Sequence, residues 1–460
     1  MEQISTYKLT DKIPMLKTQH HNTSSTYTAP KEIQETRLAW LVWSLGCMFY
    51  FYEFLLQVSP GIMRTELTEA FHISAQGFGL LGGVYFYSYA GMQIPAGILL
   101  DKFGPRRLLT FATAICAIAT LAFAHTTNFN AALVARFCIG FGSAFAVVGT
   151  MKLAANWFPY TRFALLTGIM VAIGMSGAIG GEKPLAVFIH NNGWQPSFNI
   201  LGVAGLILAG LIFFITKDTP DASAKTQEKE STSIADVWSS LLNIIRNRQI
   251  WLVALYGGLI FMVTPVFCGL WGVSFLEAKF GFSNETAATL TSMVVVGWIV
   301  GSPTWGMFSD YIGKRKPPMI IGSILALLCF CTILYLPISG QNTVGILLFL
   351  FGLFSAGFLT AFSIIKEISC QKNCATALSF MNAMNMIGVA MANPFIGFML
   401  DKLWSMDHTE TMQTTIQHVS RTYDVSHYVS AISVLPIGML IAICLLPFIK
   451  ETNCMPAEEV

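Results

Sequence analysis

Charge is scarce in this chain of 460 residues: Asp, Glu, Lys and Arg together make up 11%, under half of the usual share in a soluble domain. So few charges cannot cover a water-facing surface, and 54% hydrophobic residues exceed what a soluble core can bury. Histidine is also sparse. Its eight copies fall in tails, loops or helix ends, without metal-binding spacing, and no glycine loop of the phosphate-cradling kind is present. These absences argue against an enzyme, and neither a metal nor a cofactor is expected. The ten cysteines lie mainly inside apolar runs, and Cys370 and Cys374 have no nearby His or second Cys pair, which argues against a zinc site. A net charge of +2 gives no support to nucleic-acid binding. The first 37 residues hold no apolar core of the signal-peptide type, so the first apolar run is itself expected to direct insertion.

What the chain has in abundance is apolar runs of roughly the 20 residues that cross a bilayer. Twelve of them lie between Leu38 and residue 450, which predicts an all-α membrane protein with twelve transmembrane helices. The stretch "KDTPDASAKTQEKESTS" interrupts them, followed by "IADVWSSLLNIIRNR", a segment suited to lie along a membrane surface. The expected organisation is a mobile tail (1–37), a six-helix bundle (38–216), a linker with an amphipathic helix (217–249), a second six-helix bundle (250–450) and a short tail (451–460). With the amino terminus in the cytoplasm, loops on that side and both tails hold 21 of the 27 Lys and Arg. The positive-inside rule therefore predicts both termini in the cytoplasm.

One pattern occurs twice. "GILLDKFGPRR" begins at Gly97, and "GMFSDYIGKRK" begins 209 residues later at Gly306, each after the second helix of its half. Internal duplication explains the repeat. Glycines permit a sharp turn and close helix approach. An aspartate at the membrane edge accepts hydrogen bonds from a facing helix amino terminus, and basic neighbours anchor to anionic groups.

The loop G-x-x-x-D-[RK]-x-G-[RK]-[RK], two copies of it and twelve helices resemble the major facilitator superfamily over residues 38 to 450. That resemblance implies two pseudo-symmetric bundles that rock about a central cavity. It makes Gly97, Asp101, Gly104, Arg106 and Arg107, with Gly306, Asp310, Gly313 and Arg315, conformational latches. Asp101 would face the start of helix 11 and Asp310 the start of helix 5 when the cavity opens outward; the alternative is a basic loop that only sets orientation. The runs "YFYSYAGMQIPAGILLDKFGPRRLLT" and "VGTMKLAANWFP" are similar to a bacterial branch that includes intraphagosomal amino-acid and nutrient importers, which implies a bacterial inner membrane. Ser176 and Gly177 stand where the superfamily's drug exporters place Gly and Pro, which weakens an exporter reading.

Ionisable residues within spans cost roughly 2.5–3.5 kcal/mol each at helix centre and mark pathways or internal pairs. Four are found: Glu53, Arg136, Glu182 and Lys183. Glu53 and Arg136 fall at nearly equal depth, so a contact is expected, either a switch that alternates with a proton or a fixed ion pair. Tyr85, Tyr89 and Gln93 share one face of helix 2 at i, i+4 and i+8. Gln57 on helix 1 and Asn382, Asn385 and Asn393 on helix 11, the first two of these asparagines on one face, add polar groups suited to a small solute or to helix packing. These residues predict a monomeric secondary transporter of a small polar metabolite, an amino acid or similar nutrient, coupled to protons and working by import. An organic-anion or drug exporter and a non-transporting solute sensor are the alternatives.

Overall fold

The computed structural model describes residues 36–159, 162–219, 241–369, 374–407 and 421–453. The expected mobile tail and most of the expected linker helix lie outside these residues; of the linker helix, 241–246 is described and is helical. The helices in chain order are α1 (Arg37–Phe71), α2 (Ala75–Phe103), α3 (Pro105–His125), α4 (Phe129–Trp157), α5 (Phe163–Gly181, resuming as Lys183–Asn192) and α6 (Trp194–Ile215). The second half comprises α7 (Arg248–Phe280), α8 (Asn284–Ile312), α9 (Lys316–Tyr335), α10 (Gln341–Ile368), α11 (Cys374–Asp407) and α12 (Val425–Phe448). Among the described residues, eleven stretches are long and apolar enough to cross a membrane. The twelfth, α2, has the length at 29 residues, but tyrosines, glutamines and glycines dilute its hydropathy. That dilution has a structural cause, because α2 is the helix most closely applied to the opposite bundle.

Packing repeats after six helices. In the first half α1 packs on α5, α2 on α4 and α3 on α6; in the second, α7 packs on α11, α8 on α10 and α9 on α12. The contacts between halves, α2 with α11 and α8 with α5, exchange under the same shift. A finer repeat supports duplication. Asp218, just past α6, accepts from the backbone N–H of Arg106 at the start of α3 (2.9 Å), and Glu451, just past α12, accepts from Arg315 and Lys316 at the start of α9 (2.8 and 2.9 Å). Each carboxylate fills the orphan donors at a helix amino terminus. Burial pushes the Glu451 carboxyl up, but the backbone N–H groups of Arg315, Lys316, Asn453 and Thr452 outweigh it and leave it below its ordinary value.

Small residues set the helix spacing within each bundle. A Cβ at Gly177 on α5 would stand 2.1 Å from the Phe51 carbonyl of α1, and one at Gly352 on α10 2.1 Å from the Val294 carbonyl of α8. Lipid-facing positions carry large apolar side chains, among them Phe214 and Val134.

Helices α1, α5 and α7 are irregular beside a proline where they meet the centre. In α1 a 3-10 turn, Ser59–Met63, forms at Pro60; α7 has a π turn, Phe267–Trp271, just after Pro265; α5 breaks at Glu182, immediately before Lys183 and Pro184. Proline lacks the N–H that would continue each helix, and irregular backbone survives at membrane depth only inside protein or along a cavity. The two irregular turns of α1 and α7 touch, Gly61 against the Gly269 carbonyl.

The account predicts that Gly177→Val lowers the thermal stability of the detergent-solubilised protein by about 1–3 kcal/mol through overpacking. Gly97→Ala, at a site where a Cβ meets nothing within 4 Å, leaves it unchanged. Equal melting temperatures for the two variants would contradict this packing.

Candidate solute cavity and its gates

Between the bundles lies a cavity of about 450 Å³, lined from both halves. Glu53 and Gln57 of α1, Tyr89 and Gln93 of α2, Glu182 of α5 and Asn382 of α11 all contribute, as the sequence led one to expect. Glu53 and Glu182 are 2% and 1% exposed. The break in α5 is what presents Glu182, whose Oε2 accepts from the Thr291 hydroxyl of α8 at 2.7 Å across the bundle boundary.

The expected contact between Glu53 and Arg136 is corrected by the structure. Tyr85 stands between them, its hydroxyl donating to Glu53 Oε1 at 2.6 Å and its ring lying 5.1 Å from the Arg136 guanidinium carbon. Arg136 Nη1 instead donates to the Leu56 carbonyl at 2.9 Å. That carbonyl lacks a helical N–H partner because Pro60, four residues on, has none to offer it, and it accepts from the Ser59 hydroxyl as well, at 3.0 Å. Equal depth in the membrane says nothing of direction around the helix axis. Glu53 Oε2, Arg136 Nε and Arg136 Nη2 have no hydrogen-bond partner.

Three other expectations shift. Tyr89 and Gln93 line the cavity while Tyr85 lies behind it. On α11, Asn382 donates to Gln93 at 2.7 Å and lines the cavity, but Asn385 is buried outside the lining and Asn393 takes a place in it. Eleven residues is close to three full turns at about 3.6 residues per turn, so Asn393 shares the Asn382 face more closely than Asn385 does. Lys183 is exposed and absent from the lining, because the chain turns at Glu182 and the two neighbours diverge.

The described contacts of the repeated loops lie within their own bundles. Arg106 donates from its guanidinium to the Phe213 carbonyl within its own bundle, and Arg107 is exposed. Asp310 pairs with Arg315 at 2.6 Å, and Arg315 also reaches Glu367 at 2.8 Å, again within one bundle. The Asp101 side chain lies outside what is described. Gly104 and Gly313 adopt positive φ, +81° and +64°, which fits their turns. A Cβ at Gly97 or Gly306 would meet nothing within 4 Å, so both positions stand clear of the opposite bundle on the face where the chain enters α1 and leaves α12.

The far face is closed by a residue that the sequence reading passed over. Asp401, at the end of α11, accepts from the backbone N–H of Gln76 at 2.8 Å and of Ala75 at 3.3 Å, the first turn of α2. Arg421 and the Tyr423 hydroxyl hold the same carboxylate at 2.9 and 2.6 Å. A signal was present: "GFMLDK" at Gly397 repeats the "GILLDK" at Gly97. The glycine serves the same end, since a Cβ there would stand 2.2 Å from the Ala75 carbonyl. The antiparallel pair α2 and α11 thus carries G-x-x-x-D-K at both of its exits.

Comparison with known proteins agrees with this architecture. A family model described as Major Facilitator Superfamily matches residues 42–276 and 266–452. A probable sulfoacetate transporter of Cupriavidus necator is 25% identical over 61% of this chain and 67% of its own length. A probable galactarate/D-glucarate transporter of Escherichia coli is 22% identical over 75% and 84%, and a hexuronate transporter of Bacillus subtilis 24% over 78% and 86%. Among solved structures, a bacterial homologue of the human lysosomal transporter Spinster, inward-facing and unoccupied, superposes with a TM-score of 0.74 at 15% identity, covering 90% of this chain and 98% of that one.

Removing the far-face acceptor with Asp401→Ala should cost that closed face about 1–2 kcal/mol, a roughly five- to thirtyfold gain in open population. With Cys268 kept as the sole cysteine, a membrane-impermeant maleimide applied to the far side should label it correspondingly faster. Unchanged labelling would refute the gate.

Proposed function

This chain belongs to the Major Facilitator Superfamily and is an integral, multi-pass membrane transporter; on that footing we propose that it moves a small polar metabolite, an amino acid or similar nutrient, by proton-coupled import. The carrying observation is the cavity between the bundles, with two buried carboxylates that each keep one oxygen without a partner. An isolated carboxylate in such a place exchanges its charge for a proton or for a ligand.

Alternating access supplies the cycle. The two bundles rock about the cavity, with Asp401 on the amino terminus of α2 closing the far side. When the bundles tilt the other way, Asp101 and Asp310 take the corresponding part on the near side, toward the starts of α11 and α5. The excess of Lys and Arg on the near-side loops makes that side the cytoplasm, so the arrangement described above is inward-facing. In a bacterial cell the membrane is the inner one, and one chain suffices as the working unit.

Organic acids form the second reading, favoured by what the relatives carry: sulfoacetate, galactarate or glucarate, and hexuronate are named for those proteins. Against it stands the lining, which holds no Lys, Arg or His among the described residues.

Glu53→Gln in proteoliposomes is expected to abolish accumulation driven by a proton gradient while sparing exchange of solute between the two sides at solute concentrations that saturate the site. Equal loss of both activities at saturating solute would deny Glu53 the coupling role. Saturable binding by the native protein without any flux would make it a sensor.

A further inference from the structure

We propose that the cavity recognises a singly charged primary amine, with the ammonium group set against Glu53 and Glu182 and the body of the molecule against aromatic rings. This deepens the transport reading and rests on it. Three observations on one site carry the proposal.

The first is charge. Both carboxylates line the cavity and no basic side chain does among the described residues. Arg136 is a buried cation outside the lining, set against the Tyr85 ring with its Nη1 committed to the Leu56 carbonyl. Two carboxylates and one guanidinium leave one negative charge uncompensated, which a single cation closes. A dicarboxylate would add two charges of the wrong sign beside two buried carboxylates, and burying charge without a partner is among the most costly steps available.

The second is hydrogen bonding. Glu53 Oε2, Glu182 Oε1 and both amide atoms of Asn393 are without partners, and all three residues line the cavity at 2% exposure or less. Buried polar atoms in folded proteins are otherwise almost always paired. Three of these four atoms are acceptors when the carboxylates are ionised. An ammonium offers three N–H donors and no acceptor, and its bonds to carboxylate are of the strong, charge-assisted kind.

The third is the rest of the wall. Phe54, Phe86, Phe261 and Trp298 line the same space. Aromatic faces attract a cation and accept an apolar body, so the lining suits an amine with a hydrophobic substituent better than a polyhydroxylated acid.

The test measures the melting temperature of the purified, full-length protein with five compounds of graded chemistry: phenethylamine, phenylalanine methyl ester, phenylalanine, N-acetylphenylalanine and tartrate. Stabilisation follows affinity. The expected result is a shift with phenethylamine and the ester at least as large as with phenylalanine, and none with N-acetylphenylalanine or tartrate. Glu53→Gln and Glu182→Gln should each weaken the amine by about tenfold to a hundredfold, the range for a hydrogen bond to a charged group. A shift with tartrate or N-acetylphenylalanine in place of the amines overturns the proposal, and so does silence from all five. Counterflow in proteoliposomes separates the two levels. Amine binding without exchange supports the amine site and refutes transport; exchange of tartrate supports transport and refutes the amine site.

Discussion

A carboxylate has no resting place in a bilayer, and that constraint organises the centre of this molecule. Charge at membrane depth must face protein or a polar cavity, and non-helical backbone must do the same. Here the two requirements are met together. Pro60, Pro184 and Pro265 interrupt α1, α5 and α7, and each interruption lies at the cavity or in the seam that closes it. One break presents Glu182. Another frees the Leu56 carbonyl that holds Arg136, and so turns the guanidinium away from the solute space. The charge character of the cavity follows from where the chain lacks an N–H.

The seams between bundles are built from a different economy. At the α2 and α11 boundary, glycines bring backbones close enough for carbonyl contacts, and the polar links are few: Asn382 with Gln93, and Asp401 with the first turn of α2. Few and directional bonds suit a contact that must form and break. Within a bundle the packing is continuous: Arg106 and Arg315 of the repeated loops bind locally, to the Phe213 carbonyl and to Glu367, and Glu451 accepts from the backbone at the start of α9. Each bundle therefore holds together as a body while the seam between the bodies is held by few bonds.

Much of this was legible in the sequence, because periodic features survive translation into structure. Apolar runs gave the helices, the repeated loop gave the duplication, and rare charges gave the cavity residues Glu53 and Glu182. What stayed hidden depended on rotation about helix axes and on contacts between distant segments. Depth alone placed Glu53 beside Arg136 and could not place Tyr85 between them. A spacing of three residues favoured Asn385, while eleven residues, nearly whole turns, brings Asn393 to the cavity. Lys183 followed Glu182 in sequence but not in direction, since the helix breaks there. Asp401 was visible as a third G-x-x-x-D, yet its meaning needed α2 to be set against α11.

The most direct test of the account follows both faces at once. Spin labels at Glu69 and Lys402 report the far side and labels at Lys102 and Lys366 the near side, each pair spanning the two bundles. Distances measured in proteoliposomes, with and without transported solute, should change in opposite senses, the far pair lengthening in the conformers where the near pair shortens. Two pairs that lengthen together, or a far pair that never moves while solute crosses, would contradict rocking about the central cavity.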